Sequence, residues 1–282
     1  MKEATNPFAE IKKVPLFGET LQSSAYSVHL KDELDYQKPW NEVGIVGKDY
    51  MLVSNKKIVD MVESVIDHSD VDFDLDKTFF NGRQFMRFYK AIDEIDAEVE
   101  VGDNLGIGVM VANSYDGSTS GRFSIFAYRL LCKNGMMSKK MFDQYRFRHT
   151  QAHENWEEEL ESAAEIIKYA GTNVKEFAST CSKLTDAYLD VSTVGTIRNN
   201  YIPKLPVSTF GQTIDRIYKD PDYDKTKPLS AWNFLNAGTN VLWHKKKQTV
   251  ADFNNNDYVT SGMLQYAKDI TTVGKILQDP LM

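Results

Sequence analysis

The sequence predicts an α+β protein in which a helix and a mostly antiparallel β-meander precede a mainly helical C-terminal part. Three observations carry this prediction. Acidic and apolar residues alternate with period two in Asp70–Asp76, the pattern of a strand with one buried face, and further strand-like stretches follow it to Cys132. Ile58, Met61, Val62, Val65 and Ile66 recur at helical spacing just before it. After Asn134-Gly135 the alternation gives way to long stretches with helical character.

Taken in order, residues 1–42 hold Pro7, Pro15 and Pro39 among short apolar pieces, so they are expected to form an N-terminal arm. Val43–Val46 and Tyr50–Val53 read as short strands around Gly47-Lys-Asp49. Ser54 or Asn55 stands where a helix N-cap belongs. In Asp70–Asp76 the alternation places Val71, Phe73 and Leu75 on one strand face and four aspartates on the other. Phe79–Ile92 reads as a second strand, with Val99–Asn113 and Arg122–Cys132 as a third and fourth. The linker Ser114–Gly121 carries Asp116-Gly117, a hairpin signal. Trp156–Tyr188 reads as helical with a break near Gly171. Ile214–Lys219 and Ala231–Trp243 follow as helices, the latter capped by Ser230, with turn-rich Asp220–Pro228 between them. The expected organisation is an arm over 1–42 and one domain over 43–282, β-rich to residue 150 and mainly helical beyond.

The 282-residue chain is 42% hydrophobic and 12% aromatic, the composition of a packed globule. With 33 basic and 40 acidic side chains its net charge is -7, so any attraction to polyphosphate must come from a local patch. Two cysteines, Cys132 and Cys181, are no disulfide framework and favour a reducing compartment. Met1–Glu10 lacks an apolar signal core, and no run of about 18 apolar residues occurs. A soluble cytoplasmic protein of a bacterial or phage-infected cell, without membrane attachment, is expected.

One stretch departs from the acidic average. Between Arg122 and His149 stand Arg122, Arg129, Lys133, Lys139, Lys140, Arg146 and Arg148 against the single acid Asp143. Phe123, Phe126, Tyr128, Phe142, Tyr145 and Phe147 are interleaved with them. Cations beside flat rings suit single-stranded nucleic acid, because phosphates take the charge and unstacked bases take the rings. The same pattern arises when the rings are core and the cations solvate the outer strand faces. Tyr128 and Tyr145 are the stacking candidates, and His149 is a capping or phosphate-contacting candidate.

Two acidic groups flank the strip: Asp93, Glu94, Asp96, Glu98, Glu100 and Asp103 on one side, and Glu154, Glu157, Glu158, Glu159, Glu161 and Glu165 on the other. They are either solvated faces or the counterpart of the basic strip in a head-to-tail oligomer.

Other chemistries find less support. Counted from Asp70, the sixth and twelfth positions are Leu75 and Asn81, whereas an EF-hand needs glycine and glutamate there. His149 and His153 share a helical face beside Glu154, yet the HExxH order is absent and no third ligand is indicated. There is no G-x-S-x-G elbow, and Gly102–Gly108 lacks the lysine-serine/threonine ending of a phosphate-binding loop. No catalytic residue, metal or cofactor is assigned.

Several polar motifs occur in a set order: Tyr50-x-x-Val-x-Asn55, Val101-Gly-Asp103, Asn113-Ser-x-Asp-Gly-Ser118, Arg129-Leu-x-Cys-x-Asn-Gly135, Arg148-His-Thr150 and Trp232-x-x-x-Asn236-Ala237. In these the chain resembles a phage/plasmid-like family of uncharacterised proteins encoded by bacteriophages, prophages and plasmids, over roughly Val43–Asp252. The resemblance implies a mobile-element protein without an assigned reaction. The order of helix and β-meander also resembles the single-strand annealing proteins of the Rad fifty-two, Redβ and Erf superfamily, at the level of architecture. That resemblance implies rings or filaments that bind DNA in a basic groove without nucleotide hydrolysis. The leading expectation is therefore an oligomeric, ATP-independent protein that binds and anneals single-stranded DNA. The alternative is a virus-encoded oligomeric interaction or structural protein with no nucleic-acid substrate.

Overall fold

In the chain's computed structural model, residues 6–16, 24–32, 37–92, 95–131, 133–139, 141–142, 144–147, 149, 156–219, 228–246 and 248–278 are described. Strands precede helices, as the sequence predicts, and the class is α+β. The chain divides into two compact units that alternate along the sequence, and none of their boundaries falls at residue 42 or 150. One unit holds residues 1–92, 109–124 and 144–168; the other holds 93–108, 125–143 and 169–282.

In the first unit the expected arm is instead sheet-forming. Strands β1 (Ile11–Pro15), β2 (Ala25–Lys31) and β3 (Trp40–Gly47) make an antiparallel three-stranded sheet in that order. Prolines interrupt regular structure only within a strand, and Pro15 and Pro39 sit at its margins. Val28, Leu30, Val43 and Val46 are buried with Ala9 and Tyr115 in one apolar cluster. Met51–Ser54 is not a strand; Ser54 caps α1 (Asn55–Asp67), its Oγ accepting from the Lys57 N–H at 3.1 Å. Ile58, Val59, Val62, Val65 and Ile66 form the buried stripe of α1, while Met61 is half-buried.

The large sheet follows. Strands β4 (Phe73–Phe80) and β5 (Gln84–Ala91) are a hairpin, so the expected Phe79–Ile92 strand is interrupted. Asn81-Gly82 is the reason: Gly82 takes φ 88°, and Asn81 Oδ1 accepts from the Arg83 and Gln84 N–H groups. A bulge between Leu75 and Lys77 breaks the alternation of the acidic strand, leaving Leu75 exposed rather than facing inward with Phe73. Strand β6 (Glu98–Glu100) turns through Gly102 (φ 82°) into β7 (Asp103–Ser114), so the expected third strand is two. Then come β8 (Gly121–Arg129), β9 (Asn134–Met136) and β10 (Gln144–Phe147). The order is β10-β8-β7-β5-β4, with β6 on β7 and β9 on β8.

In the second unit, packing is set by glycines under rings. A Cβ on Gly108 would stand 2.3 Å from Phe126 Cζ, and one on Gly135 would stand 2.5 Å from the Trp243 ring. Helix α2 (Trp156–Ser182), whose residues up to Lys168 belong to the first unit, runs unbroken through Gly171, correcting the expected break. Helix α3 (Val191–Thr196) continues into a π-helical turn over Ile197–Tyr201. Helix α4 (Val207–Tyr218) begins earlier than the Ile214 expected, and α5 (Ala231–Trp243) has the predicted bounds. Ser230 caps α5 in a reciprocal box with Asn233. A last helix, α6 (Val250–Gln278), was not expected. Among the described residues no helix is long and apolar enough to cross a membrane. The turn-rich segment over 220–227 lies outside the described residues.

Candidate nucleic-acid interface

Strand β10 ends the large sheet, antiparallel to β8. Its register sets Arg146 directly opposite Arg122 and Tyr145 opposite Phe123. Because side chains alternate along a strand, the two arginines share one face and Tyr145 lies on the other. Arg146 is exposed, its guanidinium donating to Gln144 Oε1 from Nε (3.2 Å) and Nη2 (3.1 Å). Arg122 is half-buried.

Several other described residues of the predicted strip are buried or paired. Arg129 is 4% exposed and is consumed by an ion pair with Asp103, because β8 carries it inward there. Tyr128, at 4% exposure, is core and unavailable for stacking. His149 is buried against Tyr50, their rings stacked 4.9 Å apart. Phe123, Phe126 and Phe142 are likewise core. Lys139 pairs with Asp257 at 3.2 Å, while Lys133 is exposed in a left-handed turn (φ 51°) between β8 and β9. Arg122, Tyr145 and Arg146 belong to the first unit, Lys133 and Lys139 to the second. Lys140 and Arg148 lie outside the described residues, as do His153 and Glu154 of the possible metal pair. Asp103, grouped with acids read as either a solvated face or a counterpart of the strip between subunits, is buried and pairs with Arg129 of its own chain.

The polar motifs converge instead on two buried networks, one in each unit. In the first, Asn113 Nδ2 donates to Val53 O (3.1 Å) and Asn55 Oδ1 (2.8 Å), and the Asn55 N–H donates to Tyr115 Oη. Tyr50 Oη donates to Ser114 O at 2.6 Å, and Ser114 Oγ is tied to Thr119. His149 Nδ1 lies 3.2 Å from Met51 O, and the Met51 N–H donates to His149 O. Three motifs separated by up to about a hundred residues are thereby fastened together around the start of α1.

In the second unit, Arg129 Nε donates to both Asp103 oxygens (2.8 and 3.0 Å) and Nη2 to Oδ2 (2.8 Å). Trp232 Nε1 donates to the same Oδ2 at 2.9 Å. Asn134 Nδ2 donates to Thr239 Oγ1, and Asn256 accepts from the Met137 N–H and donates to Gly135 O. Asn256 is a residue that sequence reasoning missed, and its only signal is a run of three asparagines in a polar stretch.

Residues 42–267 match the family described as a domain of unknown function, DUF932. The chain belongs to the DUF932 family. No curated protein and no solved structure matches it. The DUF932 match takes in both networks and the β8–β10 arginines, and leaves β1 and β2 outside. The expected membership of an uncharacterised family holds at that level.

The first network of this DUF932 chain favours the uncharged forms of Tyr50, Tyr115 and His149. Burial raises the Tyr50 hydroxyl above its ordinary value, and it raises Tyr115 to about 12. Burial lowers His149, with the Met51 carbonyl acting in the opposite sense. Among the described residues, no group of three or more His, Cys, Asp or Glu could hold a metal ion. Buried and hydrogen-bonded, Tyr50, Tyr115 and His149 fix backbone geometry around the start of α1.

Proposed function

We propose that this DUF932 protein binds single-stranded nucleic acid along the β8–β10 end of its large sheet, and that it acts as an oligomeric, ATP-independent annealing protein of a bacteriophage or plasmid. The observation that carries the binding reading is the cross-strand opposition of Arg146 and Arg122. Two guanidiniums held opposite one another present a paired set of donors suited to successive phosphates. The helix α1 followed by β4, β5, β7 and β8 as sheet neighbours supports the architectural resemblance to annealing proteins, as analogy. Tyr145, half-buried on the opposite face, is assigned no base contact in this reading.

Fluorescence anisotropy with labelled oligothymidylate at low salt tests the proposal. Wild type should bind with a log–log salt slope near -0.7 per phosphate neutralised, and R122E/R146E should lose binding about a hundredfold or more. K133E, in the other unit, should bind almost as wild type. Undetectable wild-type binding, or binding indifferent to the double reversal, overturns the reading. Annealing of complementary strands without nucleotide, and a light-scattering mass above that of the monomer, test the finer claims.

A further inference from the structure

We infer that Lys13 of β1 is a positioning residue for the β8–β10 site, holding the end of β10 in place through Tyr50, Met51 and His149. Its effect on nucleic acid rests on the binding reading above, whereas its effect on β10 does not. All of these residues belong to the first unit. Strand β10 is four residues long and stands at the end of the sheet, paired with β8 on one side. So short an edge strand frays unless its ends are tied. His149, just past the strand, supplies a tie. The Met51 N–H donates to its carbonyl at 3.0 Å, and its ring stacks on Tyr50 with 15° between the planes.

Tyr50 and Met51 lie between β3 and α1, outside both elements, so side-chain bonds must hold them. At its tip, Tyr50 donates from Oη to Ser114 O. At its backbone, Lys13 Nζ donates to Tyr50 O and to Lys48 O, each at 2.7 Å. The same ammonium stands 4.5 Å from the centre of the Tyr26 ring on β2. An ammonium carries three donors and no acceptor, and two carbonyls with a ring face suit it. Lys13 thereby fixes the Tyr50 backbone, Tyr50 and Met51 fix His149, and His149 fixes the end of the strand that sets Arg146 opposite Arg122. Strand β1 lies outside the residues matched to DUF932, so the tie joins the N-terminal sheet to the matched part. The ordinary account is that Lys13 merely closes a surface turn. It predicts a small loss of stability without Lys13 and no change in β10 or in binding.

Amide hydrogen exchange in the full-length protein reads β10 directly. In K13M the β10 amides bonded to β8 should exchange about tenfold faster, while β5 amides of the same sheet keep their wild-type rates. K13R, which keeps the donors, should retain protection. K31M, which removes a cation of the neighbouring strand paired with Glu10, should leave β10 unchanged. Labelled oligothymidylate gives the functional readout. K13M should bind about tenfold more weakly and lose about 0.7 from the log–log salt slope. Adding R146Q to K13M should weaken binding no further, because the phosphate contact is already lost. Undetectable wild-type binding sinks the nucleic-acid reading and leaves exchange to decide the positioning. Unchanged β10 exchange in K13M, acceleration uniform across the sheet, or additive losses in K13M/R146Q overturns the inference.

Discussion

Arg129 and Asp103 form a two-pronged ion pair with side chains 5% and 3% exposed, and the Trp232 indole donates to the same carboxylate. Removing one partner leaves the other charge buried without compensation. D103N and R129M should each lower stability by about 3–5 kcal/mol in urea unfolding. The double change D103N/R129M should cost less than the two single costs summed, because no lone charge remains. Additive costs would show that the pair is not coupled as the geometry requires.

Gly108 lies beneath Phe126, leaving no room for a methyl group: an added Cβ would approach the ring to 2.3–2.5 Å. G108A should destabilise by about 1–3 kcal/mol, the cost of overpacking a filled core. F126L in the same chain should recover part of the loss by withdrawing the ring edge. Thermal unfolding of the three variants checks this, and no recovery would locate the strain elsewhere.

What the sequence made legible follows from where its signals are local. Ser230 and the apolar spacing after it define α5 to the residue, because capping and amphipathicity act within a few positions. The α6 helix carries three consecutive asparagines, poor helix formers, and Asn256 spends its amide on the backbone of Gly135 and Met137 more than a hundred residues away. The Asn81-Gly82 turn was legible and overlooked. The basic strip shows the same limit at the level of the site. Arg129 and Arg146 are indistinguishable as letters, and only the buried Asp103 and the β10 register decide that one is structural and the other faces solvent. The motifs located buried networks that no single segment could announce, since each is built from hydrogen bonds across distant strands and helices.

His149 is buried, and its folded-state pKa is lowered chiefly by desolvation. Below the ordinary histidine value of about 6.5 the unfolded chain takes up a proton that the folded chain resists. Stability should therefore fall as pH drops through that value. H149F keeps a ring against Tyr50 and removes the titration. The advantage of wild type over H149F in urea should shrink between about pH 6.5 and 5, and parallel profiles would exclude His149 as the cause.

Lys77, also a base held down by burial, gives the same sign of dependence at a higher pH. Burial on β4 pushes its ammonium down to about 7, with nearby Asp76 opposing the shift, and its Nζ lies 5.4 Å from the centre of the Phe88 ring. The unfolded chain keeps the ordinary lysine value of about 10.4, so between the two values it binds a proton that the folded chain has released. Stability should rise with pH across that window as the desolvation penalty disappears. K77M, which removes the charge and keeps an unbranched apolar stem, should stabilise the protein most at pH 7 and below. Its advantage should decline steadily toward pH 10. An advantage independent of pH would mean that Lys77 stays charged in the folded protein and that its stem, rather than its ammonium, is what the strand buries.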